Sequence, residues 1–247
     1  MFWLSFNSIV YMGNTASKTR DGLVLRRTMA SKNISHRNNH PCASLRFKQN
    51  LQMYLVTKSS NCFWFFIDYF SCKLDGFARL YEQLIQKEYT KESARITLSP
   101  GSKVLHIGCG AYPLTAVTIA QMFDVKHVVG IDRSEEAVHF AKNVVHRKQL
   151  DHRITIERGD GRTYPVESFD VIIVSSCSWP TIDVLEHLIH TAKKRSRIII
   201  RELDQVVDPI VQRISAHDEI VLTERMYHHP FPFVEPFGWQ TFYLRKK

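Results

Sequence analysis

The chain has 247 residues, 44% of them hydrophobic and 23% charged, which is room for one full α/β domain plus an extension of roughly one hundred residues at ordinary globular composition. The net charge of +9 is lopsided: residues 1–60 hold nine Lys or Arg against a single acid, Asp21, and the remainder is close to neutral, so the folded part lacks the basic stripe of a duplex binder and no nucleic-acid partner is expected. The cysteines, Cys42, Cys62, Cys72, Cys109 and Cys177, include no CxxC pair, which supports neither a disulfide framework nor a metal site and fits a cytoplasmic location.

The apolar start, residues 1–12, has no basic n-region and is broken by Ser5, Asn7 and Ser8, which makes a poor signal peptide. Residues 1–73 show no helix or strand period, and the stretch SKNISHRNNHPCAS over 31–44 has the composition of a disordered segment. The expectation for 1–73 is a basic extension, disordered or non-native, with Met53 as one later start. Residues 63–70 are strongly aromatic, but the run is far shorter than the roughly 20 residues that span a bilayer. Asp68 also interrupts it, so no membrane segment is expected. From Leu74 onward, Phe77, Leu80, Tyr81, Leu84 and Ile85 recur at helical spacing. They predict a helical lead-in or cap over 74–100 that ends in the turn Ser99-Pro100-Gly101.

The domain expected over 101–247 alternates short apolar runs with helical stretches. Strands are predicted over 103–107, 127–131, 154–157, 170–175, 197–201, 219–223 and 240–244, and helices over 113–123, 135–146 and 182–193. Ser134 is placed to cap the second of these helices, with Glu135 and Glu136 in its first turn. Val171 to Val174 is the continuous apolar run of a strand buried on both faces. Such βα alternation predicts a Rossmann-like α/β fold, a mostly parallel seven-stranded sheet with helices on both faces. The last two strands flank a Pro-rich loop over 227–238 and read as an antiparallel pair at one edge, the loop serving as a substrate lid.

Three features fall at the carboxyl ends of successive strands, where open α/β sheets bind ligands. Gly108-Cys109-Gly110 follows the first strand, and its glycines let the backbone turn sharply and approach a ligand. Asp132 follows the second, in position to accept hydrogen bonds from ribose hydroxyls. Gly159-Asp160-Gly161 follows the third, where a carboxylate can meet the exocyclic amine of an adenine. This order resembles the class I S-adenosylmethionine-dependent methyltransferase family. The resemblance implies that Gly108 and Gly110 line the methionine part of the cofactor, that Asp132 holds its ribose, and that Asp160 and Gly161 lie near its adenine. His106, Cys109, Arg133, Gly159 and Ser175 complete the candidate cofactor set, with His106 standing where the family often has an acid.

No Asn-Pro-Pro-Tyr type motif follows the fourth strand; Ser175 to Pro180 reads SSCSWP instead, which does not support amino-group methylation of nucleobases. Tyr112, Ser175 and Glu202 are candidates for a catalytic role, with Cys177 and Asp204 also near strand ends. The segment GCGAYPLT over 108–115 is in addition similar to the nicotianamine synthase branch of the fold, and that likeness implies transfer of the aminocarboxypropyl group in place of the methyl. The expected function is S-adenosylmethionine-dependent methyl transfer to a small-molecule acceptor, with aminocarboxypropyl transfer as the alternative. An NAD(P)-dependent oxidoreductase would use a third glycine where Pro113 stands, although Arg133 beside Asp132 could meet a 2′-phosphate. A non-catalytic binding module is the remaining alternative.

Overall fold

Strands β1 (Lys103–Ile107), β2 (His127–Asp132), β3 (Ile154–Arg158), β4 (Val171–Val174), β5 (Arg197–Leu203), β6 (Ile220–His228) and β7 (Trp239–Lys246) form a seven-stranded sheet among the described residues, in the order β3-β2-β1-β4-β5-β7-β6. The structure is a computed structural model and describes residues 43–96, 98–176, 178–229 and 238–247. Segment 1–42, Cys177 and most of the expected lid, 230–237, lie outside the described residues. Strands β1 to β5 are parallel, whereas β7 runs antiparallel to both β5 and β6. The reversed strand is therefore inserted one place in from the edge that β6 forms. The strand order turns back between β1 and β4, which opens a crevice at their carboxyl ends.

Alternate strand residues feed two cores, as the pleat requires. Leu105, Ile107, Ile172, Val174, Ile198 and Ile200 face Leu185, Leu188 and Ile189 of helix α5 (Thr181–Thr191) and Ile210 of α6 (Asp208–Ala216). On the other face, Val104, Val128, Val171, Ile173 and Ile199 meet Ile119 and Ala120 of α3 (Leu114–Met122) and Val138, Ala141 and Val145 of α4 (Glu135–Arg147). A parallel sheet covered on both faces explains why its central strand β4, VIIV, reads as an unbroken apolar run. Ser134 caps α4 as expected, its Oγ accepting from Ala137 N at 3.2 Å. Helix α6 and the short 3-10 turn before it, Asp204–Val206, carry no expectation from the sequence.

Residues 43–73 do not form the irregular tail that their composition predicts. Ala43–Lys73 is one 31-residue helix, α1, joined through Leu74 to α2 (Asp75–Ala94). Trp64, Ile67 and Cys72 of α1 pack with Tyr81 and Ile85 of α2 and with Ala111, Tyr112 and Leu114 beyond β1. The helix escapes a periodicity test because Phe65, Phe66, Tyr69 and Phe70 are exposed beside that inner side, so apolar residues surround much of its circumference. Tertiary contact holds it, as it holds most helices in proteins. In α2, Tyr81 and Ile85 are buried as the spacing predicts, but Leu80 and Leu84 are 51% and 44% exposed. Among the described residues no helix is long and apolar enough to cross a membrane.

Candidate active site

The chain leaves β1 through two left-handed turns, Gly108 at φ 72° and Gly110 at φ 68°, a conformation that disfavours any residue with a Cβ. A Cβ would also collide with Ser178 Oγ at the first position and with Asp68 Oδ2 at the second. Two carboxylates grip the resulting loop. Asp132, at the end of β2, accepts from Gly110 N at 3.1 Å through Oδ2 and from Ser134 N at 2.9 Å through Oδ1. Asp68, from α1, accepts from Ala111 N at 3.0 Å and Tyr112 N at 3.3 Å. Burial pushes the Asp68 carboxyl up to about 7; the two amide bonds oppose the rise, and the nearby Asp132 charge adds to it.

Beneath the loop, His106 Nε2 lies 2.8 Å from Ser175 Oγ. Burial, with Arg201 nearby, depresses the imidazole to about 3, so the ring is neutral at physiological pH. Its Nδ1 is buried with no hydrogen-bond partner among the described residues, and the same is true of Trp239 Nε1. Arg201 of β5 is neutralised by Glu92 of α2: Nε lies 3.0 Å from both carboxylate oxygens and Nη2 binds one of them again. Arg201 Nη1 donates to Thr115 Oγ1 at 2.8 Å, and the guanidinium stands 4.2 Å from the Tyr89 ring centre. Thr241 Oγ1 and Tyr243 OH donate to Glu92, at 2.5 Å to its carboxylate and 3.1 Å to its carbonyl. His228, expected in the lid loop, is instead the buried last residue of β6; its Nδ1 lies 3.0 Å from Glu88 Oε2 and its ring stacks on Trp239.

These groups border a half-open cavity of about 250 Å³. Of the residues singled out from the sequence, His106, Gly108, Cys109, Gly110, Tyr112, Asp132 and Ser175 line it. Arg133, Gly159, Asp160, Gly161 and Glu202 do not. Arg133 donates to Trp179 O at 2.8 Å. Asp160 is paired with Arg162, with Nη2 at 2.6 Å from Oδ2, and this partner holds its carboxyl down at about 2. Gly159 and Gly161 are packed against Tyr164 and Ile107, where a Cβ would not fit. Glu202 is buried beside β7, accepts from Leu203 N at 3.1 Å, and is pushed up to about 7 by burial. The sequence reading missed Trp64 and Asp68 of α1, Tyr89 of α2, Arg201 and Trp239, all of which line the cavity. Only Asp68 left a local mark, as an acid inside an aromatic run.

A pyrophosphate at this kind of loop binds backbone N–H groups. Here the N–H groups of Gly110, Ala111 and Tyr112 are taken by carboxylates of the protein itself. With Arg201 neutralised by Glu92, the lining favours a ligand that carries positive charge. Each Asp132 oxygen keeps a lone pair beyond its amide contact.

A family model described as a methyltransferase domain matches residues 98–238. The chain belongs to that methyltransferase family. The matched segment is a methyltransferase domain, a kind that takes S-adenosylmethionine as its cofactor, and this membership sets the oxidoreductase alternative aside. Phosphoethanolamine N-methyltransferase 1 of Arabidopsis thaliana is 37% identical over 118 residues, which are 43% of this chain and 23% of that enzyme. The chain thus spans about a quarter of that relative. Among solved structures, a point mutant of the nicotianamine synthase MtNAS superposes with a TM-score of 0.65 at 14% identity, over 83% of this chain and 78% of that one. The same mutant in complex with S-adenosylmethionine gives 0.64 at 13% identity, over 83% and 80%. The [4+2]-cyclase SpnF gives 0.52 at 13%, over 65% and 80%. At these identities the structural likenesses establish the Rossmann-like fold of the methyltransferase.

Proposed function

We propose that this methyltransferase acts on a small-molecule acceptor held between the Gly108–Gly110 loop and the α1–α2 pair. The observation that carries the reading is the half-open cavity itself, about 250 Å³ and bounded on one side by Asn61, Trp64 and Asp68 of α1 with Tyr81 and Tyr89 of α2. A chamber of this scale suits a small molecule and not a polymer segment. The Arabidopsis relative is, by its name, an enzyme of one such acceptor.

In this reading the loop backbone and Cys109 hold the methionine end of the cofactor, Asp132 accepts from its ribose hydroxyls, and His106 and Ser175 lie beneath. When bound, the cofactor supplies a methyl carbon made electrophilic by a positive sulfur. The chain's task is then to hold the acceptor close and aligned and to exclude water. The aromatic side serves the exclusion. Tyr112 is a wall and not a base: its hydroxyl donates to Glu82 at 2.7 Å, and burial with that carboxylate pushes the phenol far up. Asp160 and Gly161 reach an adenine only if the Asp160–Arg162 pair opens or the base lies outside the cavity.

A second reading, aminocarboxypropyl transfer, is favoured by the α1–α2 pair: the likeness to MtNAS covers 83% of the chain, against 65% for SpnF, and MtNAS has also been solved with MTA and tNA. The two reactions leave different products. The full chain is incubated with S-adenosylmethionine and a panel of small acceptors, and the nucleoside products are separated. S-adenosylhomocysteine is the expected product. Methylthioadenosine above its spontaneous background would overturn methyl transfer in favour of the second reading.

A further inference from the structure

We infer that Asp68, with the rings of Trp64 and Tyr81, forms a subsite for an ammonium group, which makes the acceptor of this methyltransferase an amine: the ammonium gives its proton to the Asp68 carboxylate, and the lone pair so freed takes the methyl group while the cofactor sulfur keeps the electron pair of the broken C–S bond. The inference deepens the small-molecule reading above and rests on it.

Trp64 and Asp68 are four residues apart in α1 and so share one face of the helix, the face that lines the cavity. The Trp64 ring meets that of Tyr81, also in the lining, at 6.3 Å between centres. An aromatic face beside a desolvated carboxylate attracts ammonium groups, protonated or quaternary. The rest of the lining leaves that attraction unopposed. His106 is neutral, and the charge of Arg201 is met by Glu92, so Asp68 and Asp132 are the acids of the lining with no cationic partner among the described residues. A buried carboxylate needs a cationic partner or a proton.

The two carboxylates divide by origin. Asp132 belongs to the stretch 98–238 that matches the methyltransferase domain, and Asp68 comes from a helix outside it. Elements added to a shared cofactor fold are where acceptor recognition is built. The protein already sets its own cations against neighbouring rings of this wall, Arg201 on Tyr89 and Lys148 on Tyr112.

The test is calorimetry on the full chain saturated with S-adenosylhomocysteine. The probes are ethanolamine, choline and 3,3-dimethylbutan-1-ol, the last having the shape of choline without its charge. At least one cation is expected to bind about tenfold or more tighter than the neutral isostere. Asp68→Asn keeps an oxygen for the Ala111 and Tyr112 amides and removes the charge; it is expected to erase most of that preference. Equal binding of the isostere, no binding of either cation, or an undiminished preference in Asp68→Asn would each overturn the inference. Should Asp68→Asn fail to fold, Trp64→Leu decides. A drop in cation affinity of about fivefold supports the subsite, and an unchanged preference overturns it. Saturation by S-adenosylhomocysteine without cation binding defeats the amine subsite alone, whereas failure to bind S-adenosylhomocysteine defeats the reading beneath it.

Discussion

Asp132 spends one lone pair of each oxygen on the amides of Gly110 and Ser134 and presents the remainder to the cavity. Asp132→Ala is expected to weaken S-adenosylmethionine binding by about 1.5–3 kcal/mol, the scale of hydrogen bonds to a charged group. An unchanged calorimetric affinity in a folded variant would remove Asp132 from the site. Asp68 and Glu202 contribute a pH dependence opposite in sign to that of the buried neutral His106. Both carboxyls are pushed up to about 7 by burial, from 3.8 and 4.5. The folded chain therefore holds more protons than the unfolded one between those ordinary values and about 7, and the stability these two groups contribute is lost as pH rises through that window. Glu202 lies outside the cavity lining, so it isolates the effect from ligand binding. Glu202→Gln is expected to lose less stability than the unaltered chain between pH 5 and 8, the difference being on the order of 3 kcal/mol. Urea unfolding at the two pH values checks this; parallel losses in both chains would mean that water reaches the Glu202 carboxyl.

At the scale of elements, Glu92 and Arg201 tie α2 to β5, and Thr241 adds β7 to the same carboxylate. Removing one partner of a buried pair strands the other, at a typical loss of about 3–5 kcal/mol. Glu92→Gln is expected to fall in that range by urea unfolding, and a loss below about 1 kcal/mol would show that Arg201 finds another partner. Helix α1 gives a related prediction. A chain beginning at Leu74 lacks the Trp64, Ile67 and Cys72 packing and leaves the Ala111 and Tyr112 amides without Asp68. It is expected to melt several degrees lower and to bind S-adenosylmethionine more weakly. Unchanged melting and affinity would return α1 to the status of a dispensable extension. The contrast between these elements and the sheet explains what the sequence made legible. Strands β1, β4 and β5 are almost wholly buried, so each carries a local apolar run, and the glycines and Asp132 stand at strand ends where chain order alone puts them. The α1–α2 side of the cavity depends on pairs with no local signature: Asp68 meets Ala111 across 43 positions, and Glu92 meets Arg201 across 109. Asp160 shows the opposite case, a legible position whose carboxylate is paired with a neighbour, Arg162, two residues on.

Across the whole molecule, a nucleotide-binding crevice has been turned toward positive ligands. The strand order reverses between β1 and β4 as it does where dinucleotides bind, but Asp68 and Asp132 already occupy the amides of the loop after β1. A pyrophosphate would have to displace Asp68 and then lie beside the Asp132 charge. Pro113, which lacks an N–H, stands at the N-cap of α3 where a further donor would otherwise be. A sulfonium cofactor carries no phosphate and meets none of these obstacles. A ligand that binds only the folded state adds about 2.7 kcal/mol at one hundred times its dissociation constant. Thermal melts are therefore expected to rise with S-adenosylmethionine in a concentration-dependent way, and to stay flat with NAD and NADP at the same concentrations. A matching rise with NADP would show that Asp68 releases the Ala111 and Tyr112 amides readily, and that the acidic lining does not select the cofactor's charge.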